Sequence, residues 1–267
     1  MEETDNQTRI KAAIDGFFVG LQVADPSAGF GSSEPFDSAF WSVFSLLESN
    51  SEKSSTVDSL LRRMSIILDC EDLSNESRRM LEGFQNSGDL WGGGSSTRCD
   101  AMSRTLGVSL CESVRDRRVE RAAEIVAITH FTPLVVQASI ALVEFQASLL
   151  LGHSAEVAVD SALEVVDHPE IREALLVEDE LGYNALSPND SVVEVVRWVV
   201  WAAYQDAPSY ILLEEISAGS ERNPVVVSLC GAVLGSQSRE SAFRSCADLR
   251  SEEIANQIVY CRESLNS

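Results

Sequence analysis

Two glycines, Gly231 and Gly235, restrict the fold more than any other feature of this chain. They lie four residues apart in an apolar segment that begins at Pro224. Proline suits the first turn of a helix, because the N–H that it lacks would have no helical partner there. Glycines at this spacing share one helix face and allow another backbone to approach closely. We therefore predict a helix over residues 224–234, packed deep in a helical core, with its N-terminal loop facing a cleft.

The other periodic segments also indicate helices, joined by short breaks. Residues 56–69 place Val57, Leu61 and Met64 on one stripe with a period of 3.6 residues. Further helices are predicted over residues 10–23, 37–48, 77–84, 100–106, 116–128, 155–166, 168–176, 210–216, 238–247 and 251–262.

The valine-rich segment 191–204 is compatible with a strand by composition. Its length, its alanines and the i,i+3 spacing of Trp198 and Trp201 favour a buried helix instead. No sustained strand alternation, long linker or fixed-period repeat is visible elsewhere. We predict an all-α protein, with residues 1–267 forming a single compact multi-helix domain.

Residues 133–151 form a strongly apolar run that is long enough to cross a membrane. The run contains Glu144 and lacks flanking lysine or arginine. Its ends have helix signals, with Thr132 as the N-cap, Pro133 in the first turn and Gly152 after the last turn. We predict a buried central helix rather than a membrane span.

The charge of the chain restricts its partners. Aspartate and glutamate number 42 and lysine and arginine 20, which gives a formal net charge of −22. Such a charge repels phosphate backbones and anionic lipid, so nucleic acid and membranes are not expected as partners. The six cysteines are scattered without a zinc-ligand spacing, and the first residues do not resemble a signal peptide. We expect a cytoplasmic protein with buried, reduced thiols.

Five segments follow one another in a specific order: residues 9–23, 35–48, 98–108, 129–152 and 192–236. In this order they resemble the ADP-ribosylglycohydrolase, or DraG-like, family. The matching family motifs are a small-residue opening helix ending G-D-A-L-G, then T-D-D-T, G-x-M-R-x-x-P-L-G, T-H-x-x-P, and finally G-G-D-x-D-T followed by A-G-A-L-x-G-A. The resemblance implies the all-α fold of that family.

The resemblance also implies a site for two magnesium or manganese ions, held by the carboxylates of T-D-D-T and D-x-D-T. These ions position ADP-ribose and the water that attacks its anomeric carbon. At the first motif this chain has Pro35, Phe36, Asp37 and Ser38, which leaves one carboxylate. The aspartate of G-D-A-L-G is replaced by Leu21.

The second metal motif is also altered. Alignment from Gly231 without gaps places Arg222 and Pro224 at the two aspartate positions. A shift by one residue places Glu221 and Asn223 there instead, which is a weaker set of ligands. Magnesium needs oxygen ligands in octahedral geometry, usually with carboxylates. We expect no metal cofactor, with Asp37 as the only candidate ligand if there is one.

The favoured interpretation is a pseudoenzyme that keeps the fold as a binding or regulatory module for a protein partner or an ADP-ribose-like ligand. Without a cation, Asp37 would be an uncompensated charge in a cleft, which is costly. Arg222 carries the charge that could replace the cation. We therefore predict an Asp37–Arg222 ion pair across the former metal site.

Two other hypotheses remain open. The chain could be an active magnesium-dependent ADP-ribosyl hydrolase with an altered site built from Asp37, Glu221 and Asn223. It could also be a metal-free nucleotide sensor that holds a diphosphate with arginines. Candidate cleft or ligand-binding residues are Leu21, Arg98, Arg104 and His130, and Arg222 would join Arg98 and Arg104 in the sensor.

Overall fold

The computed structural model describes residues 2–26, 56–64, 75–87, 96–177, 186–205 and 210–237, together with the single residues 39, 42, 45, 46 and 68. Eleven α-helices lie in these ranges, and no strand is found there beyond one isolated bridge. They are α1 Glu2–Ala24, α2 Thr56–Met64, α3 Asn75–Ser87, α4 Thr105–Cys111, α5 Arg115–Ala127, α6 Pro133–Leu150, α7 Ala155–Leu163, α8 Pro169–Leu175, α9 Val192–Ala203, α10 Tyr210–Gly219 and α11 Pro224–Gln237. The prediction of an all-α fold is confirmed.

Helix α11 packs directly against helix α1 through glycines. A Cβ atom added at Gly231 would overlap the carbonyl oxygen of Gly16, and one added at Gly16 would overlap the carbonyl oxygen of Gly231. Gly235 meets the carbonyl oxygen of Ala12 in the same way, and Gly20 meets that of Val227. The two backbones are in contact with no side chain between them, as the four-residue glycine spacing predicts.

Helix α6 is the centre of the fold. It touches α4, α5, α7, α8, α9 and α11, and the buried hydrophobic residues form a cluster around it. The hydroxyl of Thr132 accepts a hydrogen bond from the N–H of Val135, Pro133 lies in the first turn, and Gly152 follows the helix with a φ of 85°. Among the described residues α6 is the one helix that is long and apolar enough to cross a membrane, and 78% of it is buried inside the structure. The predicted buried central helix is confirmed.

Helix α6 also carries a buried carboxylate, Glu144, which is only 3% exposed. Arg118 of α5 pairs with it through two bonds, from Nε to Oε1 at 2.7 Å and from Nη2 to Oε2 at 3.1 Å. Arg115 lies 3.4 Å from the same carboxylate and extends to Glu164 beyond α7. This ion-pair network joins α5, α6 and the segment after α7.

Several predicted helix bounds differ from the structure: α1 begins at Glu2 rather than residue 10 and α11 ends at Gln237 rather than residue 234, and the segment 100–106 differs most. Residues 100–106 do not form one helix: a short 3-10 helix, Met102–Arg104, leads into α4, which continues to Cys111. The preceding residues are held by another part of the chain, because the N–H of Cys99 donates to the carbonyl of Asp190 and the N–H of Val192 donates to that of Thr97. Backbone groups used in this bridge are not free to start a helix.

The remaining predictions on elements differ in outcome. The valine-rich segment is helix α9, as predicted, with Trp198 and Trp201 in edge-to-face contact. In the predicted helix 37–48, each of the four residues that the structure describes is helical. The predicted helices 238–247 and 251–262 lie outside the described residues.

Candidate functional site

A pocket of about 540 Å³ lies where four separate segments meet: the end of α1, the two bridged segments before α4 and α9, and the loop between α10 and α11. Its charged and polar character comes from four carboxylates and two arginines. The pocket is lined by Asp25, Arg98, Cys99, Asp100, Pro188, Asn189, Asp190, Ser220, Glu221, Arg222, Asn223, Pro224 and Val225.

A short antiparallel bridge between Arg98 and Ser191 builds one wall of the pocket. It places the residues before α4 beside those before α9. Ser191 is also the N-cap of α9, because its side chain accepts a hydrogen bond from the N–H of Val193. Asp100 lies two residues after Arg98, and Asp190 lies directly before Ser191. The bridge therefore brings both aspartates to the pocket.

The guanidinium of Arg98 joins these two carboxylates. Its Nε lies 3.1 Å from Oδ2 of Asp100, and its Nη1 lies 2.8 Å from Oδ2 of Asp190. The hydrogen bond to Asp100 is the main reason why the pKa of Arg98 is raised above its ordinary value. The Arg98 side chain is 55% exposed, so it reaches solvent through the pocket.

The loop between α10 and α11 has an unusual backbone. Glu221 has a φ of 53° and Arg222 a φ of 60°, which places two consecutive non-glycine residues in the left-handed region. The N–H of Arg222 donates to the carbonyl of Ser217 at 2.7 Å, and that of Glu221 donates to Ala218 at 3.4 Å. This pair of bonds is the Schellman motif that ends many helices, in which glycine usually occupies the place of Glu221.

Asn223 begins the next helix. Its Oδ1 accepts hydrogen bonds from the N–H groups of Val225 at 3.0 Å and Val226 at 3.2 Å, so the side chain is the N-cap of α11. Its Nδ2 lies 3.5 Å from the sulfur of Cys99. Burial raises the pKa of the Cys99 thiol to about 12, although the hydrogen bond with Asn223 lowers it. Cys99 is therefore a packing contact in the pocket wall and not a reactive thiolate.

We expect Glu221→Gly to stabilise the protein by about 0.5–1 kcal/mol. A left-handed non-glycine residue costs about 1–2 kcal/mol, and glycine removes that cost while losing about 0.5–1 kcal/mol in chain entropy. Denaturant unfolding measures the difference. Glu221→Ala is the matched control, because alanine keeps the steric cost and we expect no gain from it. An equal gain from both variants would contradict the backbone explanation.

The structure brings together some of the predicted site residues. Arg98, Glu221, Arg222, Asn223 and Pro224 all line the pocket. Pro35, Phe36, Asp37 and Ser38 lie outside the described residues. The Asp37–Arg222 ion pair and the loss of the first metal motif therefore stay predictions.

Three candidate cleft residues are buried in the core and do not line the pocket. Leu21 is 1% exposed and lies one turn before Asp25, whose N–H donates to its carbonyl. Arg104 is fully buried, where its Nη1 donates to the hydroxyl of Thr129 at 2.8 Å. His130 is fully buried as well, with Nδ1 2.8 Å from the same hydroxyl and Nε2 4.0 Å from Asp100.

Sequence reasoning missed Asp25, Asp100 and Asp190 as pocket residues. A signal existed for Asp25, which lies four residues after Leu21 and so on the same face of α1. No local signal pointed to the other two. They meet because segments about 90 positions apart pair through their backbones.

The described donors do not fit a two-metal centre. Among the residues that the structure describes, no three His, Cys, Asp or Glu side chains lie close enough together to hold a metal ion. Pro224 has no side-chain ligand, Arg222 is a cation, and the Oδ1 of Asn223 is already used by two N–H groups of α11. Glu221 is the one carboxylate in this loop.

Comparison with known proteins supports the fold and the family. The family model for ADP-ribosylglycohydrolases matches residues 30–259, which is most of the chain. The chain belongs to the ADP-ribosylglycohydrolase family. Its members form a hydrolase family that acts on ADP-ribose linkages. The match includes the loop between α10 and α11 and all of the pocket lining except Asp25.

A solved structure named "ADP-ribosylglycohydrolase-related protein complex" shares the fold of this chain. The two chains superpose with a TM-score of 0.70 at 16% sequence identity, over 97% of this chain and 98% of the other. No curated protein matches the sequence at a significant level.

Proposed function

We propose that this member of the ADP-ribosylglycohydrolase family is a pseudoenzyme, which keeps the fold of its family as a binding or regulatory module and has lost the dinuclear metal site. The observation that carries the proposal is the use of the Asn223 side chain as the N-cap of α11. Only the shifted alignment, with Glu221 and Asn223 at the ligand positions, would leave two side-chain ligands with oxygen atoms in the loop. The helix cap uses the oxygen of Asn223, so Glu221 alone remains.

Both alignments of the second metal motif lead to this conclusion. In the alignment without gaps, Arg222 and Pro224 stand at the ligand positions and offer no side-chain oxygen. In the shifted alignment, Glu221 remains, but Asn223 would have to release the helix cap in order to bind a metal. Loss of such a cap costs about 1 kcal/mol. The loop therefore favours the capped, metal-free arrangement.

The partner that we propose is a protein or an ADP-ribose-like ligand, and not nucleic acid or a membrane surface. The net charge of −22 supports this choice, because it repels polyanions. We further propose that the protein acts in the cytoplasm. Among the described residues, Cys99, Cys111 and Cys230 are buried and form no disulfide, which is consistent with a reducing compartment.

The proposal predicts that magnesium changes neither catalysis nor binding. We expect no turnover of ADP-ribosylated arginine or serine substrates, with or without millimolar Mg²⁺. Calorimetric titration with ADP-ribose should give the same affinity in both conditions, because the loop has no pair of carboxylates to couple the ion to the ligand. Product release measured by chromatography is the second readout.

Magnesium-dependent turnover that is lost in Asp37→Ala would establish the other hypothesis, an active hydrolase with an altered site built from Asp37, Glu221 and Asn223. Asp160→Asn is the matched control, since Asp160 is exposed on α7 and does not line the pocket. Binding of ADP-ribose without metal and without turnover that is lost in Arg98→Gln would favour the sensor, with Arg98 and Arg222 as its pocket arginines. Arg104 would have no part in it, because it is buried in the core.

A further inference from the structure

The pocket already contains the kind of contact that an anionic ligand would make. Arg98 donates a hydrogen bond from Nε to Oδ2 of Asp100 at 3.1 Å, and its Nη1 forms an ion pair with Oδ2 of Asp190 at 2.8 Å. Arginine binds phosphate and carboxylate groups through such neighbouring N–H donors. Here two carboxylates of the chain itself lie at these donors, Asp100 through a hydrogen bond and Asp190 through an ion pair. They come from opposite sides of the bridge between residues 97–99 and 190–192.

A second observation concerns the helix end that faces the pocket. The N-terminus of a helix often binds anions, because its first N–H groups have no helical partner. At α11 these donors are already used: Pro224 has no N–H, and Asn223 accepts from both Val225 and Val226. The helix end therefore offers little to a phosphate group.

We propose that Asp100 and Asp190 form an electrostatic latch on Arg98, which excludes anionic groups from the pocket. This inference rests on the proposed function of the pocket as a binding site. The two carboxylates act as internal substitutes for a ligand's phosphate. Of the two partners proposed above, they favour a protein that presents a neutral or cationic group over an ADP-ribose-like ligand, which carries an anionic diphosphate.

Two further carboxylates near the latch also repel an anionic ligand. They belong to Asp25 and Glu221, so the pocket lining contains four carboxylates and two arginines. A diphosphate that enters has to take Arg98 from two carboxylates and then remain close to all four. Arg222 is the other cation of the pocket lining, and it lies in the loop before α11.

The test is to neutralise the latch without changing its shape. In Asp100→Asn/Asp190→Asn, the amides keep the size of the side chains but no longer neutralise the positive charge of Arg98. With ADP-ribose as the probe at low salt, we expect calorimetry to show affinity about tenfold or more above that of the unmodified protein, from the removal of two nearby like charges. Adding Arg98→Gln to this variant should cancel the gain.

A matched control carries the same change of net charge elsewhere. Asp160→Asn/Glu170→Gln removes two exposed carboxylates from α7 and α8, away from the pocket lining, and should leave the affinity unchanged. Melting curves confirm that each variant is folded. If the double variant does not fold, Asp190→Asn alone should give about a threefold gain, since Asp190 is the more exposed partner of the latch.

Three results would overturn the latch: no gain in the variant, a gain that persists after Arg98→Gln, or an equal gain in the control. None of these bears on catalysis. Magnesium-dependent turnover would instead contradict the proposed function and would leave the measured effect of the latch in place. The two proposals can therefore fail separately.

Discussion

Replacing Gly231 with alanine should lower the free energy of unfolding by about 3 kcal/mol. The new methyl group would overlap the carbonyl oxygen of Gly16, which belongs to the backbone of α1 and cannot rotate away as a side chain could. The two helices would have to separate, and Gly235 against Ala12 would lose its close contact too. Overpacking of this kind costs about 1–3 kcal/mol even where side chains can adjust. Urea unfolding followed by circular dichroism measures the effect.

The same substitution at Gly83 is the control. Gly83 lies inside α3, where alanine is the better helix former by about 0.5–1 kcal/mol. We expect Gly83→Ala to be neutral or slightly stabilising. If Gly231→Ala were equally harmless, the direct backbone contact between α1 and α11 would be wrong.

The second large effect is expected at Glu144. Glu144→Gln should destabilise the protein by about 3–5 kcal/mol, because it removes the charge that compensates Arg118 inside the fold. The glutamine keeps the shape of the side chain, so the loss reports on the ion pair rather than on a cavity. Thermal and denaturant unfolding both measure it.

Glu164→Gln provides the contrast within the same network. Glu164 pairs with Arg115 at 2.6 Å, but its side chain is 65% exposed. Exposed ion pairs contribute about 0–1 kcal/mol, so this variant should be close to the unmodified protein. Similar losses of unfolding free energy in Glu144→Gln and Glu164→Gln would show that burial does not decide how much each ion pair stabilises the protein.

The outcome at individual residues shows what sequence reasoning can reach. The caps of α6, Thr132 and Pro133, were predicted correctly, because capping depends on residues within one turn of each other. The left-handed Glu221 could not be predicted, since glutamate rarely adopts this conformation. It does so here because α10 ends and α11 begins within four residues.

The two arginines Arg98 and Arg104 also show what the local sequence can and cannot predict. Arg98 and Arg104 were both predicted near the cleft, because the segment 98–108 resembles the G-x-M-R-x-x-P-L-G motif of the family. The structure separates them, because the bridge exposes Arg98 to the pocket while the turn into α4 directs Arg104 to Thr129 in the core. Which way an arginine points depends on contacts with distant segments.

The amino-acid sequence by itself determined that this protein is helical, where most of its described helices lie and why α11 can touch another backbone. These properties depend on periodicity, caps and glycine spacing, which act over a few residues. Only the tertiary structure decided the character of the pocket. Asp100 and Asp190 hold Arg98 because a backbone bridge joins segments far apart in the chain, and such pairings have no signature in the local sequence.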